Sequence, residues 1–171
     1  MSVFLIGYRG CGKTTIGRKL ADRLWHSFVD VDEQIVNRAG KTIREIFEQD
    51  GEPVFRELEA AVVRECGVLQ DHVIALGGGT LQRKENHEVV TQPGHKVIYL
   101  KCDPEALLAR IQADPGTAAS RPNLTALGGG LEEIKAMLAV REPVYRSAMT
   151  SELDVTNLTP EEAVVYIARM I

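Results

Sequence analysis

The chain has 171 residues, 44% of them hydrophobic and 26% charged, with a formal net charge of −4. That length suits one domain with a real core, and the mildly acidic balance argues against a nucleic-acid surface as the main function, which usually needs a basic face. No apolar run approaches a membrane span or a secretory signal, and three cysteines without paired spacing read as reduced thiols of a cytoplasmic protein.

The run Val3-Phe4-Leu5-Ile6 predicts a short strand, followed at once by Gly7-Tyr8-Arg9-Gly10-Cys11-Gly12-Lys13-Thr14, which spells G-x-x-x-x-G-K-T. Ile16, Leu20 and Leu24 then keep one helical face apolar. A strand before and a helix after are the context that identifies a phosphate-binding P-loop. Its glycines allow a tight turn that aims backbone N–H groups at one point, and the helix N-terminus adds its positive dipole end. Lys13 can reach the β- and γ-phosphates, Thr14 can ligate Mg²⁺, and Cys11 needs to supply only its backbone. A bound nucleoside triphosphate is expected.

Trp25 and Phe28 are expected in the core. Ser27-Phe28-Val29 predicts a brief strand ending in Asp30-Val31-Asp32, with a helix following through Ile35 and Val36 to Gly40. Thr42 and Glu45 form a capping box that opens a short helix ending at Gly51, and Pro53 suits the first turn of the next, through Phe55, Leu58 and Val62. His72 to Leu76 predicts a buried strand terminating in Gly77-Gly78-Gly79, and Lys96 to Leu100 predicts another. Asp103-Pro104 reads as N-cap and first-turn proline of a helix containing Leu107, Leu108 and Ile111.

From about 113 to 130 the chain is rich in Gly, Ala, Pro and Ser, which predicts a long loop of the kind that forms lids. A helix from about Leu131 to Met149, interrupted at Pro143, a strand at Leu153-Asp154-Val155 and a terminal helix capped by Thr159 to Glu162 complete the pattern. Short apolar runs alternating with helices imply βαβ units, hence an α/β fold with a parallel sheet. No repeat or linker divides it, so 1–171 reads as one domain.

Phosphoryl transfer to an alcohol needs bound phosphates, a metal, charge neutralisation and a group that holds or deprotonates the hydroxyl. Asp30 and Asp103 both stand at strand ends. Pro104 makes helix capping the economical account of Asp103, which favours Asp30 as the Mg²⁺ partner of Thr14. Asp32, two residues on, would point to the same side of an extended segment. Such a pair can be a solvated turn, or a metal ligand beside a group that takes the substrate proton. The three glycines Gly77, Gly78 and Gly79 cost backbone entropy, which favours close approach of a ligand over a plain turn. Gly128-Gly129-Gly130 reads as a hinge. Arg121, in the lid-like loop, is a candidate for neutralising phosphate charge. Arg56 and Arg141 lie on predicted helices, where arginine is usually solvated. The four histidines lack metal-ligand spacing and read as surface residues.

The P-loop with Thr15, Phe28-x-Asp30-x-Asp32, Phe55-Arg56-x-x-Glu59, Gly77-Gly78-Gly79, Arg121-Pro122-x-Leu124 and Arg141-x-x-x-Tyr145-Arg146 together resemble the shikimate kinase family of small P-loop kinases, nearly end to end. The resemblance implies a three-layer fold on a five-stranded parallel sheet in order 2-3-1-4-5, with a lid at about 113–130. It implies ATP-dependent phosphorylation of the shikimate 3-hydroxyl. Gly10, Cys11, Gly12, Lys13, Thr14 and Thr15 would hold ATP, and Thr14 and Asp30 would hold Mg²⁺. Asp32 would bind shikimate hydroxyls as base or orienting group. Arg56 and Arg141 would clamp the carboxylate, with the backbone at Gly77, Gly78 and Gly79 positioning the ring.

Arg121 would close over the phosphates, making Lys13, Asp32 and Arg121 the catalytic set. Arg110 and Asn157 to Pro160 fall where the family contacts adenine. The stretch between Arg110 and Arg121 is longer than in many members. The partners expected are ATP and shikimate, with no nucleic acid or membrane, for a monomer. Two alternatives stand: another small-molecule kinase, acting on gluconate or a nucleoside monophosphate, and a nucleotide-binding regulator without catalysis.

Overall fold

The structure is a computed structural model that describes the backbone of residues 1–171 and the side chains of all but residues 117 and 118, within the stretch anticipated as a lid. Five strands, β1 (Val3–Ile6), β2 (Ser27–Asp30), β3 (His72–Ala75), β4 (Lys96–Lys101) and β5 (Ser151–Asp154), form one parallel sheet in the order β2-β3-β1-β4-β5. This is the topology expected. Side chains alternate across a strand, so β1 sends Phe4 and Ile6 into one apolar layer and Val3 and Leu5 into the other.

The first layer is closed by α2 (Val31–Ala39), α3 (Ile43–Gln49), α4 (Glu52–Cys66), α5 (Lys84–Val90) and α8 (Leu131–Ala148). The second is closed chiefly by α1 (Lys13–Leu24), α6 (Pro104–Gln112) and α9 (Pro160–Met170). Because all strands run the same way, the chain leaves β1, β2 and β3 at one edge of the sheet. The P-loop, Asp30 and the three glycines therefore meet where open α/β sheets bind ligands.

Four local expectations are corrected. Trp25 is 94% exposed. It ends α1 in the left-handed conformation (φ 57°) while His26 N–H donates to Ala21 O, a C-terminal turn that throws the indole outward. Phe28 does pack inward, against the α1 side. The segment 113–130 is not wholly loop: α7 (Pro115–Ser120) forms there, with Asp114 Oδ1 accepting from Gly116 N–H at its start.

Helix α8 runs unbroken through Pro143. Proline removes the bond to the Ala139 carbonyl, but both residues face solvent, so water can satisfy it while buried Arg141 and Tyr145 hold the inner face. Helix α5, too polar to read from periodicity, is pinned by buried Asn86, whose Nδ2 donates to Thr80 O (3.0 Å). The histidines are half-buried rather than exposed, and His95 packs edge-on against Phe4 at 5.0 Å.

Candidate active site

At the end of β1 the chain enters the P-loop with Gly7, Gly10 and Gly12 at φ 144°, 84° and 98°, values that side-chain-bearing residues adopt only with strain. Gly7 is also sterically required, because a Cβ there would stand 2.7 Å from Leu100 O. Lys13 opens α1, so Thr14 and Thr15 lie in its first turn. Lys13 Nζ curls over the loop and donates to Gly7 O (2.7 Å) and Tyr8 O (3.0 Å). Arg110, from the last turn of α6, donates to Val155 O (2.9 Å), Thr156 O (3.3 Å) and Cys11 O (3.5 Å). It thereby ties the P-loop to the segment just ahead of Asn157 to Pro160.

Asp30 is the last residue of β2 and also the N-cap of α2. Its Oδ1 accepts from Asp32 N–H (3.0 Å) and Glu33 N–H (3.2 Å), while Oδ2 accepts from Thr14 Oγ1 (2.6 Å). The capping expectation alone is reversed: Asp103 makes no side-chain capping bond, and Asp30 does. The second lone-pair face of Asp30 stays directed at Thr14. Burial pushes the Asp30 carboxyl above the usual range, with the nearby Asp32 adding to it and the Thr14 bond opposing it. A hydroxyl and a carboxylate side by side are hard oxygen donors suited to Mg²⁺, which completes its octahedron with water and phosphate oxygens. No group of three or more His, Cys, Asp or Glu side chains suited to a metal occurs among the described residues.

Asp32 lies in the first turn of α2, not in an extended continuation of β2. It faces the site because Asp30 caps the helix and aims that turn across the sheet edge. Its Oδ2 is 2.8 Å from Arg121 Nη2. Two clefts meet here. A larger one, about 290 Å³, is lined by the P-loop, Lys13, Thr14, Asp30 and Arg110, and a smaller one, about 50 Å³, by Phe47, Phe55, Arg56, Glu59, Gly79 and Arg141. Asp32, Gly77, Gly78, Arg9 and Arg121 line both.

The helix arginines point inward, against the usual habit of such residues. Glu59, 1% exposed, turns Arg56 toward the small cleft: Oε1 takes Arg56 Nη1 (2.9 Å) and Oε2 takes Thr80 Oγ1 (2.7 Å). Burial pushes the Glu59 carboxyl up, and the neighbouring Arg56 charge opposes the rise. Arg141 is buried over the Tyr8 ring, and its Nε is without a partner. A Cβ on Gly79 would stand 2.9 Å from Arg56 Nη2 and 3.0 Å from Arg141 Nη2. The glycines therefore make room for two converging guanidiniums as well as for a ligand. Tyr145 fixes this turn by donating to Gly78 O (2.5 Å).

Sequence reasoning missed Arg9, Arg44 and the anchoring role of Glu59. Arg9 occupies an unspecified position of the P-loop pattern, yet its guanidinium is driven below its ordinary pKa by burial and then by Arg121. Glu59 carried a signal that can be read: a carboxylate three residues after Arg56 on one helix face.

The family model described as Shikimate kinase matches residues 9–171. A shikimate kinase from Rhodopirellula baltica is 36% identical over 98% of this chain and 88% of that protein, and one from Thermobifida fusca is 41% identical over 96% and 91%. Among solved structures, the shikimate kinase from Acinetobacter baumannii in complex with shikimate superposes with a TM-score of 0.91 at 31% identity, covering 99% of this chain and 91% of that one. A gluconokinase from Sinorhizobium meliloti, at 19% identity and TM-score 0.65 over 99% and 92% of the chains, shares the fold alone. The chain belongs to the shikimate kinase family.

Proposed function

We propose that this chain transfers the γ-phosphoryl group of ATP to the 3-hydroxyl of shikimate, yielding ADP and shikimate 3-phosphate for aromatic amino-acid biosynthesis. One observation carries the reading: Asp32 stands at the junction between a phosphate cleft and a cleft toward which Arg56 and Arg141 converge. Two guanidinium forks suit a carboxylate, which they bind bidentately. A ring anchored there by its carboxylate turns its hydroxyls toward Asp32. Asp32 accepts the hydroxyl hydrogen as the new phosphorus–oxygen bond forms and the bridge to ADP breaks. Lys13 and Arg121 neutralise charge on the transferring group, and Arg110 borders the adenine end. Mg²⁺, when held by Thr14 and Asp30, would neutralise the phosphates.

We read residues 1–171 as one such domain and 113–130 as a lid that excludes water. Three unpaired buried cysteines suit a reducing cytoplasm, and both substrates are small molecules, which fits a monomer. A gluconate kinase would have no need of two converging arginines beside three glycines, and a regulator without catalysis no need of Lys13, Thr14, Asp30, Asp32 and Arg121 together. The test is ADP release from Mg-ATP with shikimate, gluconate or a nucleoside monophosphate as acceptor. Shikimate alone should support turnover; equal rates with gluconate, or none with shikimate, would sink the reading.

A further inference from the structure

The turn that carries Arg121 is gripped from three elements. Arg44 of α3 donates from Nη2 to Arg121 O (3.1 Å), and Arg9 of the P-loop donates from Nη2 to the next carbonyl, Pro122 O (3.3 Å). A few residues on, Glu133 of α8, 2% exposed, accepts from Thr125 N–H (2.5 Å) and Thr125 Oγ1 (2.9 Å). The stretch 121–125 is thus fastened at backbone level while the Arg121 side chain projects into the junction of the two clefts and pairs with Asp32.

We propose that Arg44 and Arg9 are positioning residues for the transfer reaction: they hold the Arg121–Pro122 turn over the cleft junction, so that the Arg121 guanidinium passes between Asp32 and the transferring phosphate by side-chain rotation alone. Several physical points support this. Consecutive carbonyls held by two charged donors leave the local backbone little freedom, since charge-assisted bonds are the stronger kind. Arg121 has four side-chain torsions and lines both clefts, so both partners lie within reach of one anchored Cα. Without the grips, a segment whose preceding helix, α7, spans only Pro115–Ser120 would have to order itself in each turnover. The cost would fall on kcat, because the interaction gained from Arg121 grows in the transition state.

The inference rests on the functional reading above, and the test separates the two. Arg44→Met, Arg44→Lys, Arg121→Ala and the Arg44→Met/Arg121→Ala double variant are compared in steady-state kinetics, with melting midpoints measured alongside. Arg44→Met should lower kcat about five- to tenfold with the shikimate KM little changed, and Arg44→Lys, which keeps a charged donor, should recover most of the loss. In the Arg121→Ala background, Arg44→Met should cost almost nothing further, since neighbours acting through one group are not additive. An unchanged kcat in Arg44→Met, or a loss that adds in full to that of Arg121→Ala, overturns the proposal. Hydrogen exchange at the amides of Arg121, Asn123, Leu124 and Thr125 provides a readout independent of any acceptor. It should quicken in Arg44→Met, and no difference from wild type also overturns the proposal. Absence of shikimate-dependent turnover in wild type would overturn only the functional reading.

Discussion

Arg121 Nη2 lies 2.8 Å from Asp32 Oδ2, so the guanidinium and the candidate base are paired to each other where both clefts meet. The pair has a kinetic consequence. A substrate hydroxyl seeking Asp32 Oδ2 would have to share it with the guanidinium, for which a bound γ-phosphate would compete. In the proposed reaction, arrival of the nucleotide would thus free Asp32 Oδ2 for the acceptor.

Asp32→Asn should test the acceptor side of that exchange. The amide keeps the shape but cannot take a proton, and a positioned base typically contributes about 10²- to 10⁴-fold. A fall in kcat of at least about 10²-fold is expected, with the KM for ATP within about threefold of wild type. Initial rates of ADP release at saturating shikimate measure it. A loss under tenfold would leave Asp32 as an orienting group only.

Asp30→Asn addresses the metal. The carboxylate both caps α2 and accepts from Thr14, so the neutral amide keeps part of the cap while weakening a hard-cation site. The Mg²⁺ concentration for half-maximal rate should rise about tenfold or more, the worth of one lost charge-assisted ligand. Titration of Mg²⁺ at fixed ATP reads this out, and an unchanged midpoint would remove Asp30 from the metal site.

Arg141→Ala should weaken shikimate about ten- to hundredfold, since a hydrogen bond to a charged group is worth about 1.5–3 kcal/mol. ATP should be affected little, because Arg141 lines only the smaller cleft. Calorimetric binding of each ligand separates the two effects, and equal losses would contradict a carboxylate role.

Gly79→Ala probes why three glycines stand in a row. The added methyl would meet the tips of Arg56 and Arg141 at 2.9 and 3.0 Å, and such flexible ends can swing aside. The fold should survive with its melting midpoint nearly unchanged, while the shikimate KM rises about tenfold as the forks separate. A large drop in the midpoint with normal KM would mean that the glycine serves the turn alone.

The strand order followed only from the family resemblance, but the strands and the P-loop were legible because each depends on local pattern: apolar runs of strand length, helix caps, and glycines at fixed offsets. Thr42 and Thr159 illustrate this, as both capping boxes form as their spelling predicts. Asp30 was legible as a strand-end carboxylate to set beside Thr14, but its capping of α2 was not. Whether a carboxylate at a strand end caps the next helix depends on where the backbone turns, and Asp103, with the better capping spelling, makes no such bond. Trp25 was misread because hydrophobicity says nothing about the direction in which a left-handed helix end points its side chain. The inward turn of Arg56 depends on Glu59 and Thr80, 21 residues apart. Arg44 and Arg9 reach carbonyls 77 and 113 residues away, beyond any periodicity.

Glu59 makes stability depend on pH in a direction that can be worked out. Burial raises its folded-state pKa above the ordinary 4.5, despite Arg56 and Thr80, which favour the charged form. The folded state therefore binds more protons than the unfolded chain over the window above 4.5. The resulting stabilisation is fully present below that value and is lost as pH rises through the folded-state pKa. Glu59→Gln keeps the shape and has no proton to release, so its melting midpoint relative to wild type should climb as pH rises above 4.5. The same variant leaves Arg56 without its charged partner, so the shikimate KM should rise about tenfold even where the protein is more stable. Thermal scans across the pH series, with kinetics at neutral pH, check both halves. A midpoint difference that stays flat with pH would mean that Glu59 is ionised throughout, held by Arg56 against its burial.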